Sequence, residues 1–337
     1  MMGLLIILVL VLFLPFTVQK VERNLEVFLF VMGVAAATVS GIMDADLMRK
    51  ALVDPIKITI AVLIAGLLTK WLHVQLEKSI QALNRALSPR VFAGLTVIVL
   101  GLVSSLITAI IAAIILVIIV NGLPLNRQSR VRFTIIACFS IGLGAALTPI
   151  GEPLSTITVG KLNQDFFYLL KLIGPEVFTA IVVFGILTMF FVNPRKNAKG
   201  LDMDQHPESY KQILFRSIKI YLFVMGLTFL GNGFEPFITT YILDLHPTIL
   251  YWINMISAIL DNATLAAAEI SPAMESDTIQ VILLGLLISG GMLIPGNIPN
   301  IIAAGKLNIT TKEWAQFAVP LGLNTMAIYF LVLFVFY

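Results

Sequence analysis

The sequence predicts an all-α integral membrane protein with about eight full transmembrane helices, two re-entrant helical hairpins and two inverted-topology repeats that contain broken helices. Of its 337 residues, 58% are hydrophobic and only 12% are charged, and the mean hydropathy is +0.98. Soluble domains carry about 25% charged residues, so this chain lacks the polar residues needed to cover a water-facing surface. Its apolar residues form long runs, and short segments of it recur.

The composition excludes a soluble enzyme, a disordered chain and a nucleic-acid-binding protein. The single cysteine, Cys138, excludes a disulfide framework and a cysteine-based metal cluster. It lies in an apolar run, so we expect it to be a small core residue. The sequence contains no phosphate-binding loop, and its longest polar stretch, 193–211, has no apolar core of its own. We therefore expect neither an enzyme nor an ATP-driven pump, and no cofactor.

Long apolar runs predict the full spans, because about 20 apolar residues cross a bilayer core as a helix. The predicted spans are 3–18, 25–42, 56–71, 133–147, 175–192, 213–230, 279–294 and 314–337.

Two further apolar regions, 91–120 and 248–270, are interrupted halfway by polar residues. Each piece has about a dozen residues, too few to cross alone, so we predict two helical hairpins that enter and leave on one side. A pair of short tilted spans is the alternative in each case. Segment 75–88 places its leucines and isoleucine on one face, which predicts an amphipathic helix at the membrane surface.

The distribution of basic residues predicts the orientation. With this span map, 17 Lys and Arg residues fall on one side of the membrane and five on the other, which accounts for all 22. The positive-inside rule assigns the richer side to the cytoplasm and places both termini outside. Hairpins and paired spans give the same count, so the charges do not distinguish them.

Two segments of the chain recur. Residues 28–33 match 221–226, and residues 155–163 match 300–308, where both copies contain Gly-Lys-Leu-Asn. Lys161 is predicted outside and Lys306 inside, so we expect inverted repeats. We assign 1–192 to the first repeat, with an extra helix and the amphipathic segment near 50–88, 193–212 to a cytoplasmic linker loop, and 213–337 to the second repeat.

Inverted repeats with interrupted helices are typical of secondary transporters. A purely structural bundle is the alternative, but it has no reason to expose backbone groups at four breaks in a bilayer. The breaks fall at 104–108, 148–153, 257–264 and 294–300, and each carries hydroxyl, amide, glycine or proline residues. The candidate cation- and proton-binding residues are Asp261, Glu152, Asn262, Ser257, Thr264, Asn297, Asn300, Ser105, Thr108, Thr148 and Ser155.

The two carboxylates among these residues, Asp261 and Glu152, indicate a cation. No Lys or Arg lies within the breaks to neutralise them, and a buried carboxylate needs a cation or a proton. We therefore expect Na⁺, with Li⁺ as a further candidate, to compete with H⁺ at Asp261 and Glu152. Each acid has a structural alternative, a hydrogen bond to nearby backbone. Glu269 and Glu235 are weaker candidates, because both are expected near the outer surface, where Glu269 would be solvated.

At these residues the chain resembles the ion transporter superfamily, which includes NhaD-type sodium/proton antiporters, arsenite permeases and divalent-anion symporters. Segments 257–264 and 295–300 look like the Ser…Asp-Asn hairpin tip and the Gly-Asn-Pro-x-Asn broken helix of that family, although Ile298 displaces the proline here. The match covers the layout of nearly the whole chain and is closest to a prokaryotic branch described as cation transporters. The first hairpin tip, 104–108, lacks the Ser-Asn-Thr of the anion symporters.

The resemblance implies a scaffold domain, a transport domain with an elevator-like movement, a homodimer, and a multi-pass protein of the inner (cell) membrane of a prokaryote. The leading hypothesis is a secondary cation/proton antiporter for Na⁺, whose partners are the lipid bilayer and a small inorganic ion. The alternative is a Na⁺-coupled transporter of a small anion or oxyacid, such as arsenite or a carboxylate. A channel or a non-transporting membrane receptor is a third class: the lack of any folded loop argues against a receptor, and currents far above transporter turnover would be needed to support a channel.

Overall fold

A computed structural model describes residues 2–18, 20–21, 24–71, 88–193, 209–241, 245–260 and 262–335. These residues form α-helices and two 3₁₀ turns, with no strand among them. The helices are α1 Met2–Thr17, α2 Leu25–Val39, α3 Ala45–Trp71, α4 Pro89–Ile107, α5 Ala109–Gly122, α6 Arg127–Ala145, α7 Pro153–Leu162, α8 Tyr168–Phe191, α9 Tyr210–Tyr241, α10 Pro247–Ile253, α11 Asn262–Glu269, α12 Ser276–Gly290, α13 Ile298–Leu307 and α14 Thr311–Val335. The 3₁₀ turns are Asn254–Ala258 and Ile294–Gly296.

The prediction of an all-α membrane protein is confirmed. Within the described residues, four helices are long and apolar enough to cross a membrane, and they lie at Pro89–Ile107, Tyr168–Phe191, Tyr210–Phe237 and Thr311–Phe334. Four shorter apolar helices, of 10–17 residues, lie at Met2–Pro15, Leu25–Val39, Ala109–Gly122 and Ser276–Gly290. In the part of the chain that the structure describes, four helices are therefore candidate full spans by length and composition, where the sequence predicted about eight.

The helix termini follow from local sequence. Ser88 precedes α4, where its hydroxyl accepts a hydrogen bond from the Val91 backbone N–H at 3.4 Å, and Pro89 occupies the first turn. Asn126 precedes α6 in the same way and accepts from the Ser129 N–H at 2.8 Å. Side-chain acceptors and proline both suit this position, because the first backbone N–H groups of a helix have no partner within it.

Helices α4 and α5 form the first hairpin. Arg90, at the start of α4, donates to the Val192 backbone oxygen at 3.1 Å, and Ser129, at the start of α6, donates to the Asn193 oxygen at 3.3 Å. Because α5 ends only four residues before α6 begins, both outer ends of the hairpin lie on one side. However, α4 has 19 residues, so the prediction that both arms are too short to cross is wrong for this arm.

The difference in arm length has a physical reason. Ser104 and Ser105 interrupt the apolar run in the sequence, but their hydroxyls donate to the Gly101 and Leu102 backbone oxygens at 2.7 and 3.0 Å. A serine that bonds to the preceding turn is tolerated inside a helix. The helix therefore continues through both serines and stops only at Thr108.

Helices α2, α3 and α9 pack together as a separate group, which we call the α2–α3–α9 bundle. Gly33 and Gly226 lie at the crossing of α2 and α9, where a Cβ on Gly33 would stand 2.3 Å from the Gly226 backbone oxygen. Ser40, the residue directly after α2, also donates its hydroxyl to the Gly233 oxygen on α9. Without side chains at the crossing, the two backbones touch, a device common between membrane helices.

The contacts of the α2–α3–α9 bundle correct part of the predicted repeat. The segments 28–33 and 221–226 lie on α2 and α9, and the contacts Glu26–Lys219 and Gly33–Gly226 join positions 193 residues apart in both cases. Constant spacing means that the two helices run parallel. An inverted repeat would make them antiparallel, so the inverted relation does not include this match. The glycine that ends both segments, Gly33 in one and Gly226 in the other, instead allows these two helices to cross closely.

The single cysteine is part of the core, as predicted: Cys138 on α6 is fully buried. Two other predictions fall outside the described residues. The amphipathic segment 75–88 lies there except for Ser88, and so does most of the linker loop 193–212. The assignment of 1–192 and 213–337 to two repeats stays a prediction.

We expect Gly226→Ala to destabilise the protein. The added Cβ would lie 2.6 Å from the Phe30 backbone nitrogen, and forcing atoms into a packed contact costs about 1–3 kcal/mol. Thermal unfolding of the detergent-solubilised protein measures the effect as a lower melting temperature. Gly160→Ala on α7 is the matched control, because its Cβ would meet nothing within 4 Å; an equal melting temperature for the two variants would contradict the close crossing.

Candidate functional site

The first pair of helix breaks forms one hydrogen-bonded unit. Thr108 separates α4 from α5 with a φ of 76°, a conformation that a β-branched residue rarely adopts. The next residue, Ala109, donates its N–H to the Gly151 backbone oxygen at 2.9 Å, and Thr148 donates its hydroxyl to the Ser105 oxygen at 2.5 Å. The tip of the first hairpin is therefore bonded to the break between α6 and α7.

The second pair of breaks is joined in the same manner. Ser257, in the 3₁₀ turn that ends the first arm of the second hairpin, donates to the Leu286 backbone oxygen on α12 at 3.1 Å. Asn300 on α13 donates its amide to the Gly290 and Leu293 oxygens at 2.9 and 3.0 Å, across the break between α12 and α13. A Cβ on Gly296 would lie 2.6 Å from the Ser257 backbone oxygen. Hairpin tip and broken helix again touch.

Helices α7 and α13, which follow the two breaks, have closely similar geometry. Each has 10 residues and a proline in its first turn. Glu152 and Asn297 precede them with φ angles of −155° and −152°, and neither side chain caps its helix. Asn163 and Asn308 end them in the left-handed conformation, with φ of 51° and 50°. Sequence positions 145 apart therefore adopt the same local structure.

The two pairs of breaks are linked crosswise. Helix α5 of the first hairpin packs against α13, and α11 of the second hairpin packs against α7. In addition, Asn297 at the second break lies against α6 of the first half, where a Cβ on Gly142 would stand 2.4 Å from the Asn297 amide nitrogen. The glycine leaves room for that amide. Four breaks distant in sequence are thus brought into one region.

The predicted site residues are mostly buried there. The buried members are Ser105, Thr148, Glu152, Ser155, Ser257, Asn262, Asn297 and Asn300. Thr108 and Thr264 are half-buried, and Asp261 lies outside the described residues. The structure therefore brings together the predicted hydroxyl and amide residues and one of the two predicted carboxylates.

Two of these hydroxyls donate to backbone oxygens at the breaks, Thr148 to the Ser105 oxygen at 2.5 Å and Ser155 to the Ala146 oxygen at 3.0 Å. Because a hydroxyl is also an acceptor with two lone pairs, its oxygen still accepts a cation or a further donor. The Asn300 side-chain oxygen is buried without a hydrogen-bond partner. Glu152, 6% exposed, adds a carboxylate. Oxygen ligands of this kind suit hard cations.

A cavity of about 600 Å³ reaches the second break from the surface. It lies between the α2–α3–α9 bundle and α13, with the exposed Gln212 at one end and Ile294 of the broken segment at the other. Glu26 and Lys219 form an ion pair on its wall. The cavity therefore lies beside the second break, between the bundle and the broken helices.

Several polar residues near the breaks were missed at the sequence level. Ser140 on α6 donates to the Val97 oxygen on α4 at 2.9 Å, and Ser289 on α12 donates to the Asn254 oxygen at 2.7 Å. Each of these serines interrupts an apolar run in the sequence, and that interruption could have identified it as a candidate site residue. Glu269 was expected to be solvated, but it is only 1% exposed, because α7, α9 and α12 pack around α11.

The fold and the site define an all-α membrane protein with helices broken in its interior. A family model described as a protein of unknown function, DUF1646, matches residues 1–336. The chain belongs to this family. A comparison with curated proteins finds no match.

We expect Asn300→Leu to lower stability more than Ser155→Ala does. The asparagine variant removes two hydrogen bonds to buried backbone oxygens, and leaves the Leu293 oxygen with only the long bond from the Gly296 N–H at 3.4 Å, whereas the serine variant removes one; a buried acceptor that loses its donor costs about 1–3 kcal/mol. Ser155 and Asn300 occupy positions 145 apart and bridge the first and second breaks. Chemical or thermal unfolding in detergent compares them; a smaller loss for Asn300→Leu would contradict its role as the bridge.

Proposed function

We propose that the protein is a secondary active ion transporter, in the first instance a Na⁺/H⁺ antiporter in which the cation and protons compete for Glu152 and Asp261. The observation that carries this proposal is the convergence of four helix breaks on buried oxygen ligands. Broken helices are costly in a bilayer, and their freed carbonyls and helix ends are the usual means by which transporters bind ions at mid-membrane depth.

Competition between cation and proton is what couples the two fluxes. If the same carboxylates hold either a cation or protons, bound positive charge offsets their negative charge in both cases and lowers the cost of exposing the site to the low-dielectric interior. An empty, charged site is costly to move. A gradient of one ion then drives the other, and the proposed roles of Glu152 and Asp261 are ligand and proton acceptor in turn. Asn262, Ser257, Thr264, Asn297, Asn300, Ser105, Thr108, Thr148 and Ser155 would complete or orient the ligand shell.

The packing supports alternating exposure of such a site. The cavity between the α2–α3–α9 bundle and α13 lies along the boundary between two helix groups, and sliding at this boundary would open the breaks to one side or the other. In this proposal the bundle is the scaffold, the broken helices move, and the scaffold mediates a homodimer. The proposed setting is the inner membrane of a prokaryote, with about eight spans and both termini outside.

A second candidate is a Na⁺-coupled transporter of a small anion or oxyacid. It is favoured by one feature: α7 and α13 begin at the breaks with no side chain capping their N-termini. Backbone N–H groups at a helix N-terminus attract anions. In this case Glu152 and Asp261 would bind the coupling cation only, and transport of the anion would depend on Na⁺.

Proton flux in proteoliposomes tests the proposal. With a pH dye inside, added Na⁺ or Li⁺ should move protons out, and choline should not. Glu152→Gln and Asp261→Asn should each lower the initial rate by about tenfold or more, because each removes an ionisable ligand. Asp165→Asn is the matched control, since Asp165 lies in an exposed loop and pairs with Lys171 at 3.0 Å.

A pH signal in the wild type that does not depend on the added cation would contradict the antiport proposal. Uptake of labelled arsenite or carboxylate that requires Na⁺, without proton movement, would establish the second candidate instead. Equal rates for the wild type and Glu152→Gln would remove that residue from the site.

A disulfide between α9 and α11 tests whether the bundle and the second hairpin move against each other. A Cβ on Gly231 would lie 3.0 Å from the Thr264 Cβ, near the about 3.5–4.5 Å of natural disulfides. In a Cys138→Ser background, oxidation of Gly231→Cys with Thr264→Cys should abolish cation-driven proton flux, and a reductant should restore it to the level of the single variant Thr264→Cys, which alters a proposed ligand.

The single-cysteine variants, oxidised in parallel, are the control for the crosslink. Undiminished flux in a fully crosslinked sample would show that α9 and α11 need not separate during transport.

A further inference from the structure

We propose that Glu269 and Asn254 form a second cation site, separate from the helix breaks, in which a proton and a small monovalent cation exchange. Glu269 is the last residue of α11, and Asn254 is the first residue of the 3₁₀ turn in the opposite arm of the same hairpin. Seven residues separate Glu269 from Asn262 at the tip, about 10 Å at the helical rise. The site therefore lies between the tip and the outer end of the hairpin.

The chemistry of the three oxygens at this place carries the inference. Glu269 and Asn254 are 1% and 0% exposed, and their side chains face each other. By hydrogen-bond geometry, both Glu269 carboxyl oxygens and the Asn254 side-chain oxygen are buried without a partner among the described residues, and the polar side chain that acts on the carboxyl is the neutral Asn254 amide. A buried carboxylate with only a neutral amide beside it is unfavourable in a dry interior. A shared proton or a cation bound to the oxygens removes this imbalance.

The neighbouring groups do not supply the missing charge. The Lys161 ammonium on α7 donates to the Ala267 and Ile270 backbone oxygens, so it caps the end of α11, and no ion pair in the described part of the chain joins it to Glu269. On α9, Glu235 is exposed and lies one turn beyond Gly231, which packs on Thr264.

The remaining elements packed on α11 add little charge. Asp277 in the first turn of α12 is exposed, and the 3₁₀ turn Asn254–Ala258 has no charged residue.

The Asn254 side chain is free to serve a bound ion. Its amide makes a long contact with the Ile282 oxygen, at 3.5 Å, and also acts on the Glu269 carboxyl. The turn itself is held by the backbone, because Ser289 donates to the Asn254 backbone oxygen at 2.7 Å. The carboxamide therefore accepts the proton of a neutral Glu269, or offers its oxygen to a cation beside the carboxylate, without disturbing the fold.

Infrared difference spectroscopy of the full chain in lipid tests this site without measuring transport. A protonated carboxylic acid has a carbonyl-stretch band that is distinct from carboxylate bands. In a Glu152→Gln, Asp261→Asn background, we expect a pH step to produce this band, and added NaCl or LiCl, but not choline chloride, to diminish it at fixed pH. Glu269→Gln should abolish the band, and Glu275→Gln, which alters an exposed acid six residues away, should leave it.

Asn254→Leu provides a second measurement that does not remove the acid. It should keep the band but shift its frequency, since the acceptor of the Glu269 proton is lost. Unchanged spectra in Glu269→Gln, or a band indifferent to every cation, would overturn the proposal. Because the background variants lack the carboxylates of the proposed transport site, these results do not depend on whether the protein is an antiporter.

Discussion

Backbone groups released inside the protein are the constraint on which the rest of this structure depends. A helix that stops in a membrane interior leaves carbonyl oxygens and N–H groups without partners, and water cannot replace them. Here the partners are side chains and neighbouring breaks: Thr148, Ser155 and Asn300 donate to the freed oxygens, Ala109 bonds to Gly151, and Ser257 ties the second hairpin to α12. These bonds tie each hairpin tip to a broken helix and so fix where the buried Glu152 lies.

Close backbone approach makes this arrangement possible. A Cβ on Gly144 would lie 1.8 Å from the Gly101 oxygen, and one on Gly142 would meet the Asn297 amide. Small residues thus let α4 and α6 touch and let the second break reach into the first half. Glycines also join α2 to α9 in the bundle. One close contact, Gly231 on Thr264, also joins the bundle to the second hairpin, whereas a cavity lies between the bundle and α13.

The sequence predicted some parts of the site well and others poorly. Polar residues in apolar runs located all four breaks, because a membrane interior tolerates such residues only for a reason. The same signal wrongly predicted that α4 ends at its serines and is too short to cross, because Ser104 and Ser105 bond within their own helix and do not interrupt it. It also placed Glu269 in water, because distance along the chain says little about depth once neighbouring helices enclose a hairpin. The match of residues 28–33 with 221–226 belongs to the close crossing of two parallel helices, α2 and α9, and is not part of an inverted repeat.

The sequence by itself determined that the chain is a helical membrane protein, where its helices break and which side chains stand at the breaks, because hydropathy and polar interruptions are local properties. Only the tertiary structure decided that α5 meets α13 and α11 meets α7, that Asn297 lies against Gly142, and that Glu269 faces Asn254 in a buried place. Those outcomes depend on which helix surfaces fit closely together, and that fit involves residues far apart in the chain.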